Sequence, residues 1–246
     1  MIRIGTAGWS LPKEWQDRFP QGGTHLHRYA GRFKAVEIDR TLKKTPRPTT
    51  FARWAESVPS DFRFSVKVPR RITHDRRLVD VVSELDEFLE IVGRLGDRLG
   101  PLLVQLPPRP GVRPHRRRGV PRPATCAARR ARHARGTHES WFIREAEELL
   151  ADRQVARVAA DPPRASADGA PGGARTLAYF RLHGQPRTYY SAYRDGGLER
   201  WARAVHEVAK ADGTESVWCI FDNTAAGEAT GEALALQNML GDAGGG

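Results

Sequence analysis

VWCIFDN, residues 217–223, is the stretch of this sequence that most restricts the fold. Its first five residues, 217–221, are all apolar or aromatic, without the alternation expected of a strand that has one solvated face. Such a run is typical of a strand buried on both faces of a parallel sheet. Asp222 and Asn223 follow directly, so a buried strand is predicted to finish on two polar side chains.

Six further runs of similar character precede this one along the chain. The predicted strands are 2–7, 35–38, 62–68, 102–106, 155–160, 177–182 and 217–221. Helical patterns separate them, and the predicted helices are 25–33, 49–57, 79–95, 142–150, 198–211 and 228–240. This alternation predicts an α/β protein, and 246 residues suffice for one TIM-type (β/α) barrel. We expect a single barrel domain over residues 1–241 and a flexible tail over 242–246.

The segment 109–137, here called the Arg-rich block, interrupts this pattern. It holds ten arginines and no acidic residue, and it supplies nearly all of the net charge of +11. A barrel needs its fourth helix and fifth strand here, but prolines forbid a regular helix over the first half. These prolines are Pro110, Pro114, Pro121 and Pro123. We therefore expect this part of the barrel to be disrupted or irregular.

The Arg-rich block also permits a second interpretation, in which its arginines bind the phosphates of a nucleic acid. Two observations weigh against specific binding of this kind. The block lacks interleaved aromatic residues for stacking on bases, and it occupies the place of a helix and a strand that the barrel requires. A small polar or anionic ligand is the first choice of partner, and nucleic acid is the alternative.

The composition excludes several other classes of protein. Cys126 and Cys219 are the only cysteines and form no CxxC pair, so neither a disulfide framework nor a zinc cluster is predicted. No apolar run approaches the length of about 20 residues that spans a membrane, and the N-terminal residues lack a signal-peptide pattern. We expect a cytoplasmic protein without a membrane partner. No Walker, GxSxG, HExxH or GxGxxG motif is present, so the sequence specifies no cofactor, metal or reaction.

Polar side chains lie at or just beyond the ends of the predicted strands, where TIM barrels carry their active sites. Hydrophobic strands that each finish on a polar residue predict one shared polar site at the barrel mouth. We expect catalytic roles for Glu37, Lys67, Asp161 and His183. We expect ligand-binding roles for Trp9, Asp39, His74, Gln105, Arg181, Tyr190, Tyr193, Asp222 and Asn223.

Each of these assignments has an ordinary structural alternative. Glu37 and Asp39 lie two residues apart and point to the same side of a strand, where they can bind a metal, share a proton, or pair with Lys67 or Arg181. His183 can be a ligand, a base or a turn residue.

Among the remaining candidates, Lys67 is equally consistent with a surface lysine. The sequence Asp222-Asn223-Thr224 is also suited to helix capping, and we expect Thr224 to cap the last helix. Aromatic residues at the mouth can stack on a ligand or simply cover the barrel. The last group comprises Trp9, Trp15, Tyr189, Tyr190 and Tyr193.

An ordered set of short motifs resembles one known family over nearly the whole chain outside the Arg-rich block. The motifs include IGTAGWS (4–10), YAGRFKAVEIDRT (29–41), FRFSVKVPRRITH (62–74), LGPLLVQLPP (99–108), HESWF (138–142), VARVAAD (155–161), YFRLHG (179–184) and FDNTAAGEA (221–229). Together they are similar to the YecE-like family, domain of unknown function 72. The resemblance implies a TIM-type barrel related to sugar isomerases, with no established activity.

The sequence departs from the family pattern most clearly at the end of the Arg-rich block. The family carries Glu-Pro-Arg-His where this chain has residues 135–138, so only His138, a further candidate ligand-binding residue, matches. The expected strand-end glutamate is replaced by Arg135. Since the length of the segment is normal, we hypothesise two compensating frame changes near Arg109 and His138. The coding DNA tests this, because another frame should then encode an amphipathic helix and a strand ending in Glu.

Overall fold

The structure, a computed structural model, describes residues 1–107, 132–135, 141–163, 169–194 and 196–242, with only the backbone described at 132–135 and 242. Its strands are β1 (Ile2–Thr6), β2 (Ala35–Ile38), β3 (Arg63–Lys67), β4 (Leu99–Gln105), β5 (Arg132–Arg135), β6 (Val155–Arg157), β7 (Ala159–Asp161), β8 (Gly172–Gly173), β9 (Leu177–Leu182) and β10 (Ser216–Phe221). Its helices are α1 (His25–Ala30), α2 (Pro48–Glu56), α3 (Val82–Gly93), α4 (Arg144–Asp152), α5 (Gly197–Lys210) and α6 (Glu228–Asp242).

Parallel pairing closes these strands into a barrel. One sheet has the order β2-β3-β4-β5-β6-β8, and the other has the order β1-β10-β9-β7. A bridge between Ala7 and Glu37 joins β1 to β2 on one side. On the other side, β6 and β7 belong to one run of chain that is interrupted only at Val158. The predicted TIM-type barrel is therefore confirmed, with β8 as a short antiparallel addition to β6.

The run 155–160 was expected as one strand and is instead two. β6 pairs with β5, whereas β7 pairs with β9 in the other sheet. Val158 lies between the two ladders, where the chain changes its hydrogen-bonding neighbour. The prediction was wrong on this point because both halves are equally apolar, so hydrophobicity carries no signal for the change of partner.

Four residues of the Arg-rich block form the fifth strand of the barrel. β5 is parallel to both β4 and β6, and Arg135 lies opposite Gln105. Without this strand, the backbone N–H and C=O groups along two buried strand edges would lack partners, which favours an extended segment despite its composition. The other residues of the block, and His138 with them, lie outside the described residues.

The beginning of α3 differs from the prediction. The helix was expected over 79–95 but begins at Val82. The preceding residues have φ angles of 52°, 62° and 50°, which a right-handed helix excludes. These residues are Arg77, Leu78 and Asp80. The apolar spacing of the sequence continues through this turn, so periodicity alone placed the boundary too early.

The last helix also begins at a different point from the one its capping residues suggest. α6 begins at Glu228, so Thr224 does not cap it. The carbonyl of Thr224 instead accepts a hydrogen bond from the Gly227 N–H at 3.2 Å, in the turn before the helix. The residues beyond 242, expected as a flexible tail, lie outside the described part of the chain.

The barrel interior is apolar at one end and polar at the other. The apolar interior cluster contains Ala35, Leu103, Ala156, Val158, Leu177, Tyr179, Trp218 and Ile220. A larger apolar cluster lies between the strands and the surrounding helices. Because side chains two residues apart share a face, Glu37 follows Ala35 and Arg181 follows Tyr179 on the inner surface. The inner surface is therefore polar at the carboxyl ends of the strands, which we call the barrel mouth.

Candidate functional site

A buried ion pair between Glu37 and Arg181 spans the barrel mouth. Glu37 lies in β2, and Arg181 reaches its carboxylate from β9. The exposed fractions of these two residues are 0% and 1%. The guanidinium donates from Nη2 to Oε1 at 2.8 Å and from Nε to Oε2 at 3.1 Å, which is a bidentate contact. Burial opposes ionisation of the carboxyl, but Arg181 and, more weakly, Lys67 lower the pKa of Glu37 to about 2. Of the alternatives open for Glu37, the structure has the pairing with Arg181.

The same guanidinium also contacts Asp222 and His183. Its Nη1 lies 2.7 Å from Asp222 Oδ2 and 2.8 Å from His183 Nε2. Because a guanidinium only donates, His183 Nε2 accepts, and the ring therefore carries its proton on Nδ1. That nitrogen lies 2.7 Å from the carbonyl oxygen of Asp161, which accepts the bond. Arg181 thus fixes the tautomer of His183.

Asp222 lies just beyond β10 and faces Arg181 across the mouth. Its exposed fraction is 7%. Burial, together with the negative charges of Glu37 and Asp39, raises the pKa of Asp222, although Arg181 opposes the change. A carboxyl group with a raised pKa beside a fixed cation is suited to exchanging a proton with a ligand.

Tyr179 and Ser65 support the ion pair from inside the barrel. The hydroxyl of Tyr179 donates to Glu37 Oε2 at 2.9 Å and lies 3.0 Å from Ser65 Oγ. All three side chains are buried. Tyr179 also stacks on Trp218 with ring centroids 6.0 Å apart, so the polar cluster rests on the apolar interior. This contact restricts Glu37 to one orientation.

Lys67 ends β3 beside this cluster and is 6% exposed. In the described part of the chain, its Nζ makes no hydrogen bond or ion pair, although Glu37, Asp222 and Asp39 all attract its charge. Burial and the positive charge of Arg181 outweigh that attraction and lower the pKa of Lys67. The amine is therefore buried and lies within the electrostatic influence of three carboxyl groups, but it is not paired with any of the three.

Asp161 fixes the loop that follows β9. Its carboxylate accepts from Gln185 Nε2 at 2.8 and 2.9 Å and from the Tyr193 hydroxyl at 2.7 Å. Burial raises the pKa of Asp161 despite these bonds. The Tyr193 hydroxyl also accepts from the Gly184 N–H at 3.1 Å, so both ends of the loop are tied to β7.

Gly184 and Asn223 hold the same loop from the other side. Gly184 has a φ angle of 81°, and a Cβ atom there would lie 2.0 Å from the Ser191 carbonyl oxygen, so only glycine fits. Asn223 Nδ2 donates to the Ser191 carbonyl at 3.0 Å and to Glu232 Oε2 at 2.6 Å. Glu232 also accepts from the Tyr193 N–H. The Oδ1 atom of Asn223 is buried, and none of the described residues forms a hydrogen bond with it.

The structure brings some of the other predicted site residues near this cluster. Asp39 begins the turn after β2 and acts electrostatically on Lys67 and Asp222. His74 lies in a π-helical turn after β3, where burial and the positive charges of Arg70 and Lys67 lower its pKa. Gln105 ends β4, and its Oε1 is buried without a partner among the described residues.

Two aromatic candidates are placed differently. Trp9 packs edge-on against Trp54 of α2, with ring centroids 4.9 Å apart. Tyr190 is 44% exposed, and the Arg187 guanidinium stacks on its ring at 3.9 Å. His138 lies outside the described residues.

Sequence reasoning missed Tyr179, Ser65, Gln185 and Glu232. Tyr179 and Ser65 each lie two residues before a predicted site residue in the same strand, so the two-residue period of a strand would have found them. Glu232 lies in α6, where an acidic residue is normally solvent-exposed, and the sequence carries no signal for its burial. Among the described residues, no group of three or more His, Cys, Asp or Glu side chains is arranged to hold a metal ion.

The fold and the polar cluster define the chain as a TIM-barrel protein with a candidate site at the carboxyl ends of its strands. In the part of the chain that the structure describes, no helix has both the length and the apolar character needed to cross a bilayer. Residues 3–245 match the family described as "Protein of unknown function DUF72", and the chain belongs to that family.

Similar proteins agree with this assignment. The chain is 39% identical to the UPF0759 protein YecE of Escherichia coli over 107 residues, which are 44% of this chain and only 38% of that relative. A DUF72 family protein of Thermotoga maritima superposes with a TM-score of 0.76 at 21% identity, covering 98% of this chain and 99% of that one. A DUF72 family protein of Enterococcus faecalis superposes with a TM-score of 0.75 at 21% identity, covering 98% of each chain. A D-psicose 3-epimerase crystallised in the presence of D-fructose has a TM-score of 0.53 at 9% identity, with 98% of both chains covered. At these identities, the structural likenesses show the fold alone.

Proposed function

We propose that the protein binds a small polar ligand of the sugar class at the barrel mouth and acts on it as an enzyme. The observation that carries this proposal is the buried polar cluster of Glu37, Lys67, Arg181 and Asp222. Replacing a buried ion pair by apolar residues of similar volume is often neutral or stabilising, so stability alone does not account for the cluster. Its position at the carboxyl ends of the strands is the place where barrels of this kind do chemistry.

The charges of the cluster favour hydroxyl groups over a free anion in the mouth. Three carboxyl groups, those of Glu37, Asp39 and Asp222, act on the charge of Lys67, and two of them, Glu37 and Asp222, also pair with Arg181. Carboxylates accept hydrogen bonds from hydroxyl donors, whereas a phosphate beside them would be repelled. An anionic substituent finds cations instead on the exposed turn after β2. This turn carries Arg40, Lys43 and Lys44, which are exposed and form no ion pair with any described residue.

The proposal gives each cluster residue a role. Lys67 contacts the ligand carbonyl and polarises it, and Asp222 exchanges a proton with the ligand. Glu37 orients Arg181, since a carboxyl with a pKa of about 2 holds no proton at neutral pH. Asp161 and His183 position the loop and the guanidinium. The epimerase with the same fold is consistent with a sugar ligand, but it supports only the barrel as a scaffold.

Thermal unfolding in the presence of candidate ligands tests this proposal. The panel is D-fructose, D-glucose, fructose 6-phosphate and inorganic phosphate, with the wild type, Lys67→Met and Lys210→Met. Lys210 is an exposed lysine at the end of α5, remote from the mouth, and is the matched control. A ligand at 100 times its Kd stabilises the folded state by about 2.7 kcal/mol, which raises the Tm by about 5–10 °C for a chain of this size.

We expect at least one sugar to stabilise the wild type and Lys210→Met equally, and to stabilise Lys67→Met much less. Retention of the full shift in Lys67→Met places the ligand away from the mouth and refutes the assignment. If no member of the panel shifts the Tm of any of the three proteins, the proposed ligand class is wrong. The nucleic-acid alternative depends on the Arg-rich block, most of which lies outside the described residues, and it stays a prediction.

A further inference from the structure

Lys67 differs from every other lysine in the chain. The sequence contains six lysines, namely Lys13, Lys34, Lys43, Lys44, Lys67 and Lys210, and all of them lie in described residues. Five are exposed, and Lys67 alone is buried. Arginine supplies the other 34 of the 40 basic residues. Most positive charges of this chain are therefore carried by arginine, whose guanidinium stays protonated. The buried lysine differs because its amine can lose a proton.

The surroundings of Lys67 favour that loss. Its side chain is withdrawn from water, and Arg181 places a second positive charge nearby. Arg181 cannot move away to relieve the repulsion, because Glu37 and Asp222 hold three of its nitrogen atoms in place. No hydrogen bond within the described residues occupies the Lys67 amine. A buried amine beside a fixed cation is the arrangement by which enzymes obtain nucleophilic lysines.

We propose that Lys67 is a covalent nucleophile that forms a Schiff base with the carbonyl carbon of the ligand. The substrate class is then an aldose, a ketose or a shorter hydroxy-aldehyde or hydroxy-ketone. This inference rests on the proposed function, because it needs a carbonyl compound in the mouth. It goes further by assigning a bond between Nζ and carbon in place of a polar contact.

The step balances with the groups at hand. The neutral amine of Lys67 attacks the carbonyl carbon, a C–N bond forms, and the carbonyl π electrons move to oxygen. One proton passes from nitrogen to that oxygen through Asp222 and gives a carbinolamine. A second proton, from the Asp222 carboxyl group, leaves with the hydroxyl as water and gives the protonated imine. The overall change is amine, carbonyl and one proton to iminium and water, with no oxidant or reductant.

The cluster suits the product as well as the attacking amine. The protonated imine is a cation, and Glu37, Asp39 and Asp222 all attract positive charge at the position of Lys67. Glu37 stays ionised throughout because Arg181 holds it. Burial and Arg181 disfavour a cation on the imine nitrogen as they do on the amine, and the three carboxyl groups offset part of that cost.

Reductive trapping tests the inference on the unmodified protein. Dihydroxyacetone is the probe, because it is a three-carbon ketose and so one of the smallest members of the substrate class, and sodium borohydride reduces any imine. The adduct adds the mass of the probe less one oxygen atom, and peptide mapping by mass spectrometry locates it. The five exposed lysines are internal controls in the same sample. We expect several-fold more adduct at Lys67 than at each exposed lysine at pH 7, because the neutral fraction of an amine rises as its pKa falls.

Two further measurements separate the possible failures. Lys67→Arg keeps a cation and should lose the adduct at position 67 alone, with an unchanged near-UV circular dichroism spectrum. Trapping at Lys67 that is no greater than at the exposed lysines overturns the covalent step. If sugars still raise the Tm of the wild type in that case, the covalent step fails alone. If they do not, the proposed ligand class fails with it.

Discussion

Substitution Glu37→Gln is the most informative single change at the barrel mouth. It removes the charge that faces Arg181 and keeps the size of the side chain. Among the described residues, Arg181 is then left with Asp222 as its acidic partner. Tyr179 retains an oxygen acceptor, so the contacts beneath the ion pair are disturbed little. The measured effect should therefore report the charge of Glu37.

The size of the effect follows from the pKa of Glu37. The pKa falls from 4.5 to about 2 on folding. A difference of about 2.5 units corresponds to about 3 kcal/mol of folding stability. Because the folded-state pKa is depressed, this contribution is complete above pH 4.5 and is lost as the pH falls through about 2. Loss of one partner from other buried ion pairs costs about 3–5 kcal/mol, which agrees in scale.

Urea unfolding of the wild type and Glu37→Gln at pH 7, 4 and 3 measures this contribution as a free energy of unfolding. Thermal unfolding at pH 7 gives the Tm of the two proteins. We expect Glu37→Gln to be less stable by about 3 kcal/mol at pH 7, with a Tm lower by about 6–12 °C. The difference should shrink steadily at the two lower pH values. Glu56→Gln is the control, because Glu56 is an exposed residue at the end of α2, and changes at such sites stay within about 0.5 kcal/mol.

Two results would refute this reasoning. An equal loss of stability at pH 7 and pH 3 would show that Glu37→Gln acts through packing and not through charge. No loss at pH 7 would show that the ion pair with Arg181 does not hold Glu37 in its ionised form. Either result would also remove the reason for treating Glu37 as a fixed anion in the proposed mechanism.

Two substitutions in the loop after β9 test how rigidly it is held. Gly184→Ala should destabilise the protein by more than about 1 kcal/mol in thermal unfolding, since a Cβ there meets the Ser191 carbonyl at 2.0 Å; an unchanged Tm would contradict the tight turn. Tyr193→Phe should lower stability by about 2 kcal/mol, because the bond to the Asp161 carboxylate is lost. Tyr190→Phe, at an exposed ring, should have almost no effect, and an equal loss in both variants would show that the hydroxyl of Tyr193 is not what matters.

Much of the fold could be predicted from short-range pattern. The run 217–221 became β10 (Ser216–Phe221), one residue longer, because continuous hydrophobicity needs two covered faces and the barrel supplies both. The change of neighbour at Val158 could not be predicted, since it depends on which strands lie on either side. The turn before α3 was also lost, because positive φ angles at Arg77 and Leu78 leave no trace in apolar spacing.

The candidate site was predictable to the extent that it depends on strand ends. Glu37, Lys67, Arg181 and Asp222 were selected by that rule, and the structure brings them together. The position of a residue at a strand end does not predict which side chain it pairs with. Glu37 pairs with Arg181, which lies 144 positions away in the sequence. The burial of Glu232 was likewise hidden, since it arises from the loop that packs on α6.

The division of the barrel into two hydrogen-bonded sheets has a consequence for its motions. In the described part of the chain, one isolated β-bridge, between Ala7 and Glu37, joins β1 to β2, so the amides there are expected to exchange with solvent sooner than those inside either sheet. Lys67 belongs to one sheet and Arg181 to the other. A ligand that contacts both Lys67 and Arg181 would hold the two sheets together and slow that exchange. Ligand binding at the mouth should therefore lower the exchange rates of backbone amides between β1 and β2, which the ligand does not contact.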